Sequence, residues 1–141
     1  MPSLSGKFDI SIGPLINVVV APAGVINPAV PPPPNIKVTA FPALIDTGAS
    51  ATCISSSVAQ TVGLQPIGKQ PMISATGSVP TNVYLVDLLL PFGNAGLILN
   101  STQVMEFNPA GGNPFQMLVG RDIICQGIFT LSFDGHFSFA I

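Results

Sequence analysis

The chain has 141 residues, 48% of them hydrophobic and only 7% charged, with a formal net charge of −2. So few charges exclude a disordered polyelectrolyte. The four basic residues, Lys7, Lys37, Lys69 and Arg121, are scattered, which excludes nucleic acid as the main partner, because phosphate binding needs concentrated positive charge. The length suits one domain, and the apolar surplus beyond its core suits an oligomer interface. No apolar run reaches the roughly 20 residues of a membrane-spanning helix, so no span is expected. Lys7, Asp9 and Gly13-Pro14 interrupt the N-terminus as a signal peptide. Despite some signal-like character from Ile16 to Ala23, the cytoplasm is the expected location.

Residues 7–12, Lys-Phe-Asp-Ile-Ser-Ile, alternate apolar and polar like a half-buried strand. Gly13-Pro14 is a turn, and Leu15 to Val20 a β-branched strand. Residues 21–35 hold Pro22, Pro28 and the run Pro31 to Pro34; they exclude helix and central strand and end in polyproline II. Residues 36–41 alternate again. After Pro42, Ala43-Leu44-Ile45 is a buried strand that delivers Asp46-Thr47-Gly48-Ala49-Ser50. A carboxylate is thus held at the rim of an apolar core, with Gly48 free to turn or to let a ligand approach.

Ala51 to Ile54 runs on as a strand. Ser55-Ser56-Ser57 supplies capping hydroxyls for a short helix over Val58 to Val62, stopped at Gly63. Two extended stretches, Met72 to Ser74 and Val79 to Leu90, flank Ala75-Thr76-Gly77-Ser78, the pattern of a hairpin with a small-residue tip. Pro91 to Gly96 is a turn, residues 95–99 and 102–107 are strands, and Asn108 to Pro114 is a loop. An apolar strand then ends in Gly120-Arg121-Asp122, which opens a short helix reaching Gly127. The chain closes with two alternating strands around Asp134-Gly135, a strong hairpin signal. Cys53 and Cys125 make no disulfide framework and read as small buried hydrophobes, although a bridge between them stays open. His136, the single histidine, reads as an exposed strand residue beside a turn, and no metal-ligand cluster is visible.

The Asp46 loop followed by Thr52-Cys53-Ile54-Ser55, a hairpin, and later Met117-Leu118-Val119-Gly120-Arg121-Asp122-Ile123-Ile124 together resemble the retropepsin-like (retroviral-type) aspartic proteases. The resemblance spans residues 36–141. It implies a mainly β, single-domain, closed-barrel-like acid-protease fold with a flap hairpin and one or two short helices. Residues 1–35, with their strands and Pro-rich segment, lie outside it; they read as a removable pro-region, an extra strand pair or a linker, in what is expected to be one compact domain overall.

The resemblance also implies an aspartic endopeptidase that needs neither metal nor cofactor and acts on a peptide or protein substrate. Asp46 is the implied catalytic carboxylate. Two carboxylates about 3 Å apart share one proton, so that one activates water while the other polarises the scissile carbonyl. The chain holds one Asp-Thr-Gly, which implies a homodimer with an Asp46 from each copy. Thr47 is then the dimer brace and Gly48 a backbone contact to substrate. Ala49 stands where pepsin-like enzymes often have Ser, as in the viral enzymes, which points to a less acidic optimum. Ser50 replaces the viral Asp, and Arg121 loses that charge partner. Gly120, Arg121 and Asp122 form the supporting helix, with Asp122 capping it or bonding to the loop. The flap is Ile73, Ala75, Thr76, Gly77 and Ser78. Ile54, Met72, Ile73 and Val79 are the expected apolar walls, and the chain termini are expected to pair across the dimer. The alternative is a catalytically silent retropepsin-fold binding or dimerisation module. A β-sandwich with a chance Asp-Thr-Gly would need the Gly120-Arg121-Asp122 segment to be coincidence too.

Overall fold

The structure is a computed structural model that describes residues 2–27, 29, 38–74, 77–94 and 96–141. The proline run 31–34, the start of the 36–41 strand, and the tip residues Ala75 and Thr76 lie outside the described residues. Ten strands and two short helices are described: β1 (Ser3–Lys7), β2 (Leu15–Pro22), β3 (Thr39–Ile45), β4 (Cys53–Ser55), α1 (Ser56–Val62), β5 (Gly68–Ser74), β6 (Gly77–Leu90), β7 (Leu97–Phe107), β8 (Met117–Val119), α2 (Arg121–Ile124), β9 (Ile128–Leu131) and β10 (His136–Ala140).

Six strands close a barrel in the order β2-β3-β8-β4-β7-β6, with β6 returning to β2. Closure consumes both edges of every stave except the extended outer half of β6, where β5 pairs to make the hairpin. The parallel contacts, β3 with β8 and β4 with β7, lie side by side around the short β4–β8 pairing. The core follows from period-2 alternation. Ile16, Val18 and Val20 of β2 point inward to meet Ala43 and Ile45, Val86, Leu88 and Leu90, Val104, Met117 and Val119. The N-terminal stretch thus supplies one full stave, β2, and one outer strand, β1.

Local chemistry explains several boundaries that differ from the expected ones. Residues 8–13 are a turn, not a strand. The Asp9 carbonyl accepts from Ile12 and Gly13 N–H, and Asp9 Oδ1 accepts from the Ser11 N–H and hydroxyl. These local acceptors outcompete a ladder, and Ile10 is left 75% exposed. Strand β3 runs straight through Pro42. The Pro42 carbonyl accepts from Gln116 N–H, so the side on which proline lacks its donor faces the chain one residue before β8 begins, and no ladder bond is lost. The two strands expected at 95–99 and 102–107 are one strand, β7. It is bent where Ser101 adopts φ 49° and the register against β6 shifts between Val86 and Leu88, a β-bulge.

Of the termini expected to pair across a dimer, β10 has both edges taken within the chain. It is the middle strand of a three-stranded sheet, with β1 on one side and β9 on the other. Phe137 and Phe139 of β10 turn into the core, and Phe139 meets Phe92 and Phe129 edge-on at 5.2 and 5.9 Å. Helix α2 ends at Ile124, short of the expected Gly127. Gly127 is needed for a different reason, since a Cβ there would stand 2.0 Å from the Ala140 carbonyl oxygen. Both cysteines are free; Cys53 is buried, but Cys125 is exposed, because α2 turns its end outward. His136 is exposed and lies 3.2 Å from Asp134.

Candidate active site

Strand β3 ends at Ile45, and the chain turns out of the barrel at Asp46. Two backbone bonds hold that exit: Ile45 N–H donates to the Pro14 carbonyl at 3.0 Å and Asp46 N–H to the Val119 carbonyl at 2.9 Å. Asp46 therefore sits where β3 and its parallel neighbour β8 end together. Its Oδ1 accepts from Gly48 N–H at 2.8 Å, and its carbonyl accepts from Ala49 N–H at 3.2 Å. A Cβ on Gly48 would stand 3.1 Å from that same Oδ1, so a side chain there would crowd the carboxylate. Asp46 and Ala49 are partly exposed; Thr47, Gly48 and Ser50 are exposed.

Helix α2 braces this loop from behind. The Arg121 guanidinium donates to the Thr47 carbonyl at 2.8 Å, and Arg121 N–H donates to the Ala49 carbonyl at 2.8 Å. With Ser50 in place of a carboxylate, Arg121 holds the loop through its backbone. Gly120 lets the two segments touch: a Cβ there would stand 2.6 Å from the Ala51 carbonyl carbon and oxygen.

Asp122 completes the brace by accepting from Thr52 N–H at 3.0 Å and from the Thr52 hydroxyl at 2.7 Å. That hydroxyl in turn accepts from Gly120 N–H at 3.1 Å. Thr52 is wholly buried; the sequence marks it as part of the motif but assigns it no role. The signal available was a hydroxyl between Ala51 and Cys53 at a strand start, which must find partners once buried.

A cleft of about 400 Å³ opens beside the loop. Gly48 to Ala51 form one wall, Pro71, Met72 and Ile73 of β5 the facing one, and Cys53, Met105, Phe107 and Leu118 the floor. Met72 and Ile73 thus stand where they were expected. Val79 borders an adjoining, more polar recess with Lys69 and Glu106. Ile54 is not a wall; it is fully buried in the barrel, because β4 lies between β7 and β8 and turns Cys53 rather than Ile54 to the cleft. Met105, Phe107 and Leu118 were missed because they reach the site by barrel closure, from strands far along the chain. Of the expected flap, Ile73 is 84% exposed and Gly77 and Ser78 are exposed on β6.

Cys53 is the thiol among the described residues that line the cleft. Burial first, then the Asp122 and Asp46 carboxylates, push its thiol up to about 11. It is protonated at neutral pH, so the chemistry available beside the cleft is that of a carboxylate rather than a thiolate. Among the described residues no three His, Cys, Asp or Glu side chains gather as a metal site requires, and no helix is long and apolar enough to cross a membrane.

The sequence model of the aspartyl protease family matches residues 35–123, well over half of the chain. No curated protein matches by sequence. Solved structures do match. A retropepsin-like aspartic protease from Rickettsia conorii superposes with a TM-score of 0.61 at 10% identity, covering 97% of this chain and 89% of that one. EIAV protease, complexed with the inhibitor HBY-793, superposes with a TM-score of 0.58 at 15% identity, covering 86% and 93%. At such identities the likeness speaks to architecture: the closed barrel has the retropepsin fold.

Proposed function

Since the chain belongs to the aspartyl protease family, we propose that it is an endopeptidase whose catalytic dyad is Asp46 from each of two identical copies. The observation that carries this reading is the half-exposed Asp46 carboxylate, held by Gly48 N–H in a loop whose following residues, Gly48 to Ala51, and not Asp46 itself, line an apolar cleft. A lone carboxylate has no partner with which to divide the roles of acid and base. A two-fold axis at the loop supplies one, and the pair then holds a single proton. The ionised member takes a proton from a bound water that attacks the scissile carbonyl. The protonated member hydrogen-bonds that carbonyl and later helps protonate the leaving nitrogen. No bond to the enzyme forms.

The loop's supports fit these roles. Gly48 N–H fixes the carboxylate orientation, and Arg121 and Asp122 hold the loop backbone against α2. Thr47 is exposed at the loop tip, where a two-fold partner would meet it. The β5–β6 hairpin serves as the flap, with Ile73, Gly77 and Ser78 described and Ala75 and Thr76 at its tip by sequence. The apolar cleft floor selects a large hydrophobic side chain next to the scissile bond. The substrate is therefore an extended peptide or an unfolded protein.

The test is cleavage of an unfolded protein from about pH 3 to about pH 8 by the wild type and by Asp46→Asn at matched dimer content. Cleavage by the wild type alone is the expected result. Equal cleavage by both would remove Asp46 from the mechanism. Folded dimers of both proteins with no cleavage would leave a silent binding module.

A further inference from the structure

A second concavity adjoins the cleft at the base of the β5–β6 hairpin. This recess, of about 550 Å³, shares Met72 and Phe107 with the cleft. Lys69 of β5, Asn82 of β6 and Glu106 of β7 are among its polar lining. The function proposed above gives these three residues no part.

Register brings them together. Lys69 stands opposite Asn82 in the hairpin, and Tyr84 stands opposite Val104 where β6 runs along β7. Side chains alternate along a strand, so Asn82 shares a face with Tyr84, and Glu106 shares one with Val104. Tyr84, the single tyrosine, is packed in the barrel core and only 4% exposed. A buried phenol must place its hydroxyl on a partner. Here the hydroxyl donates to Glu106 Oε1 at 2.6 Å, and the Asn82 side chain bonds to the same hydroxyl. The carboxylate is thereby held in place from the barrel interior.

No cation balances it. Among the described residues none stands within 4.0 Å of Glu106, although Lys69 lines the same recess. The two charges also differ in setting. Lys69 is exposed on the outer strand β5, where water screens its ammonium. Glu106 is half-buried and fixed by Tyr84, so its field in the recess is the stronger and the better directed.

We propose that the recess is a specificity subsite for a basic side chain, arginine or lysine, whose charge meets Glu106. Such a side chain needs an apolar path for its methylene stem and a carboxylate for its head. Met72, Val79 and Phe107 supply the path. The substrate class is then a peptide with a basic residue close to a large hydrophobic one. Side chains of an extended peptide return to one face at every second residue, so the basic residue stands two positions from the one that fills the cleft. Glu106 is the specificity residue, and Tyr84 is a positioning residue that acts through it. That the occupant is a substrate rests on the endopeptidase reading; the charge preference of the recess does not.

Binding separates the two. Short fluorescent peptides of alanine and glycine carry one central phenylalanine, with arginine, norleucine or glutamate two positions to either side. They are titrated by anisotropy into the full chain bearing Asp46→Asn, which lacks the proposed catalytic carboxylate. The arginine peptide should bind about tenfold more tightly than the norleucine one, and the glutamate peptide most weakly. Glu106→Gln keeps an acceptor for Tyr84 and should erase the difference. Tyr84→Phe should reduce it, and Lys69→Gln should widen it. Wild-type kcat/KM toward the same peptides should follow the same order. Equal binding of the arginine and norleucine peptides overturns the proposal, as does a preference for glutamate or an arginine preference that survives Glu106→Gln. If Glu106→Gln does not fold, Lys69→Gln decides: a wider arginine preference supports the subsite, and an unchanged or lost one overturns it. Arginine-selective binding with no cleavage by the wild type leaves the subsite standing and removes the endopeptidase reading.

Discussion

Two carboxylates of the same barrel have opposite surroundings. Asp87 stands in the middle of β6, wholly buried. Its oxygens accept from Ile26 N–H at 3.0 Å and Ser101 N–H at 2.9 Å, with Gly24 N–H and the Asn100 amide adding to them. Burial alone would push its pKa up, but these four donors outweigh it and hold the group below the ordinary carboxylate range. Asp46 stands at the end of β3, half-exposed, with a single donor among the described residues. Every lone pair that Asp87 can offer is spent on the fold: it pins the turn after β2 and the bulge in β7 where Ser101 takes φ 49°. Asp46 spends one lone pair on its own loop and leaves the others without a donor among the described residues. A satisfied buried carboxylate is architecture, and an unsatisfied one beside a cleft is available for chemistry.

Neutralising each carboxylate should separate the two roles. Asp46→Asn should lower cleavage by about a thousandfold or more while the melting temperature stays within a few degrees of wild type, because one loop N–H is all that loses a charged acceptor. Asp87→Asn should do the reverse. Its amide nitrogen would confront backbone N–H groups that cannot turn away, at a cost of about 2–4 kcal/mol. That corresponds to a drop in Tm on the order of 10 °C, with cleavage per folded molecule unchanged. If Asp87→Asn removed activity without loss of stability, the division drawn here would be wrong.

The pH dependence adds a sign. The Asp87 pKa lies below 3.8 in the folded chain and near the model-peptide value when unfolded. Its contribution is therefore complete above that value and is lost as pH falls through the folded pKa. The stability gap between wild type and Asp87→Asn should narrow as the pH drops below about 3.8, as read by denaturant titrations at successive pH values.

The same contrast explains what the sequence could show. The Asp46 loop, the Gly120-Arg121-Asp122 step, the Ser55 cap and the Gly63 stop were legible, because each is a short run of residues whose chemistry acts on its neighbours. Ser55 does accept from Val58 N–H, and Gly63 does end α1 with φ 80°. Asp87 looked like one polar residue in the strand Val83 to Leu90, since its partners lie elsewhere in the chain: Ile26 is 61 positions away. The cleft floor, the β2–β6 closure and the β1–β10 pairing were hidden for that reason too, because periodicity specifies which face of a strand is apolar and not which strand lies next to it. At residues 8–12 the alternation was real but the Asp9 side chain prevailed over it, a local interaction defeating a pattern.

Asp122 lies between the two extremes, for it is part of the fold and also supports the loop. Asp122→Asn keeps an acceptor for one Thr52 donor and turns an amide toward the other. The expected cost is about 1–2 kcal/mol, less than for Asp87. Activity should fall by about tenfold, in kcat rather than KM, because the loop carrying Asp46 loses part of its brace while the cleft walls are unchanged. A loss confined to KM would mean that Asp122 shapes the cleft instead.

Gly63 gives the smallest effect and calibrates the others, because it touches neither carboxylate. Its N–H donates to the Ala59 and Gln60 carbonyls at the end of α1, and a Cβ built there meets nothing within 4 Å. Gly63→Ala therefore has no steric neighbour to displace, and its cost is the torsional one of a Cβ at φ 80°, about 1 kcal/mol. Gly63→Asn should cost less, because asparagine tolerates the left-handed region. Both should cut substrate as the wild type does. Equal destabilisation by Ala and Asn would mean that the helix end is held by packing rather than by backbone torsion. A change in cleavage would show that α1, through β4, transmits to the cleft, and the separation between structural and chemical residues would then have to be drawn more widely than at Asp46 and Asp87.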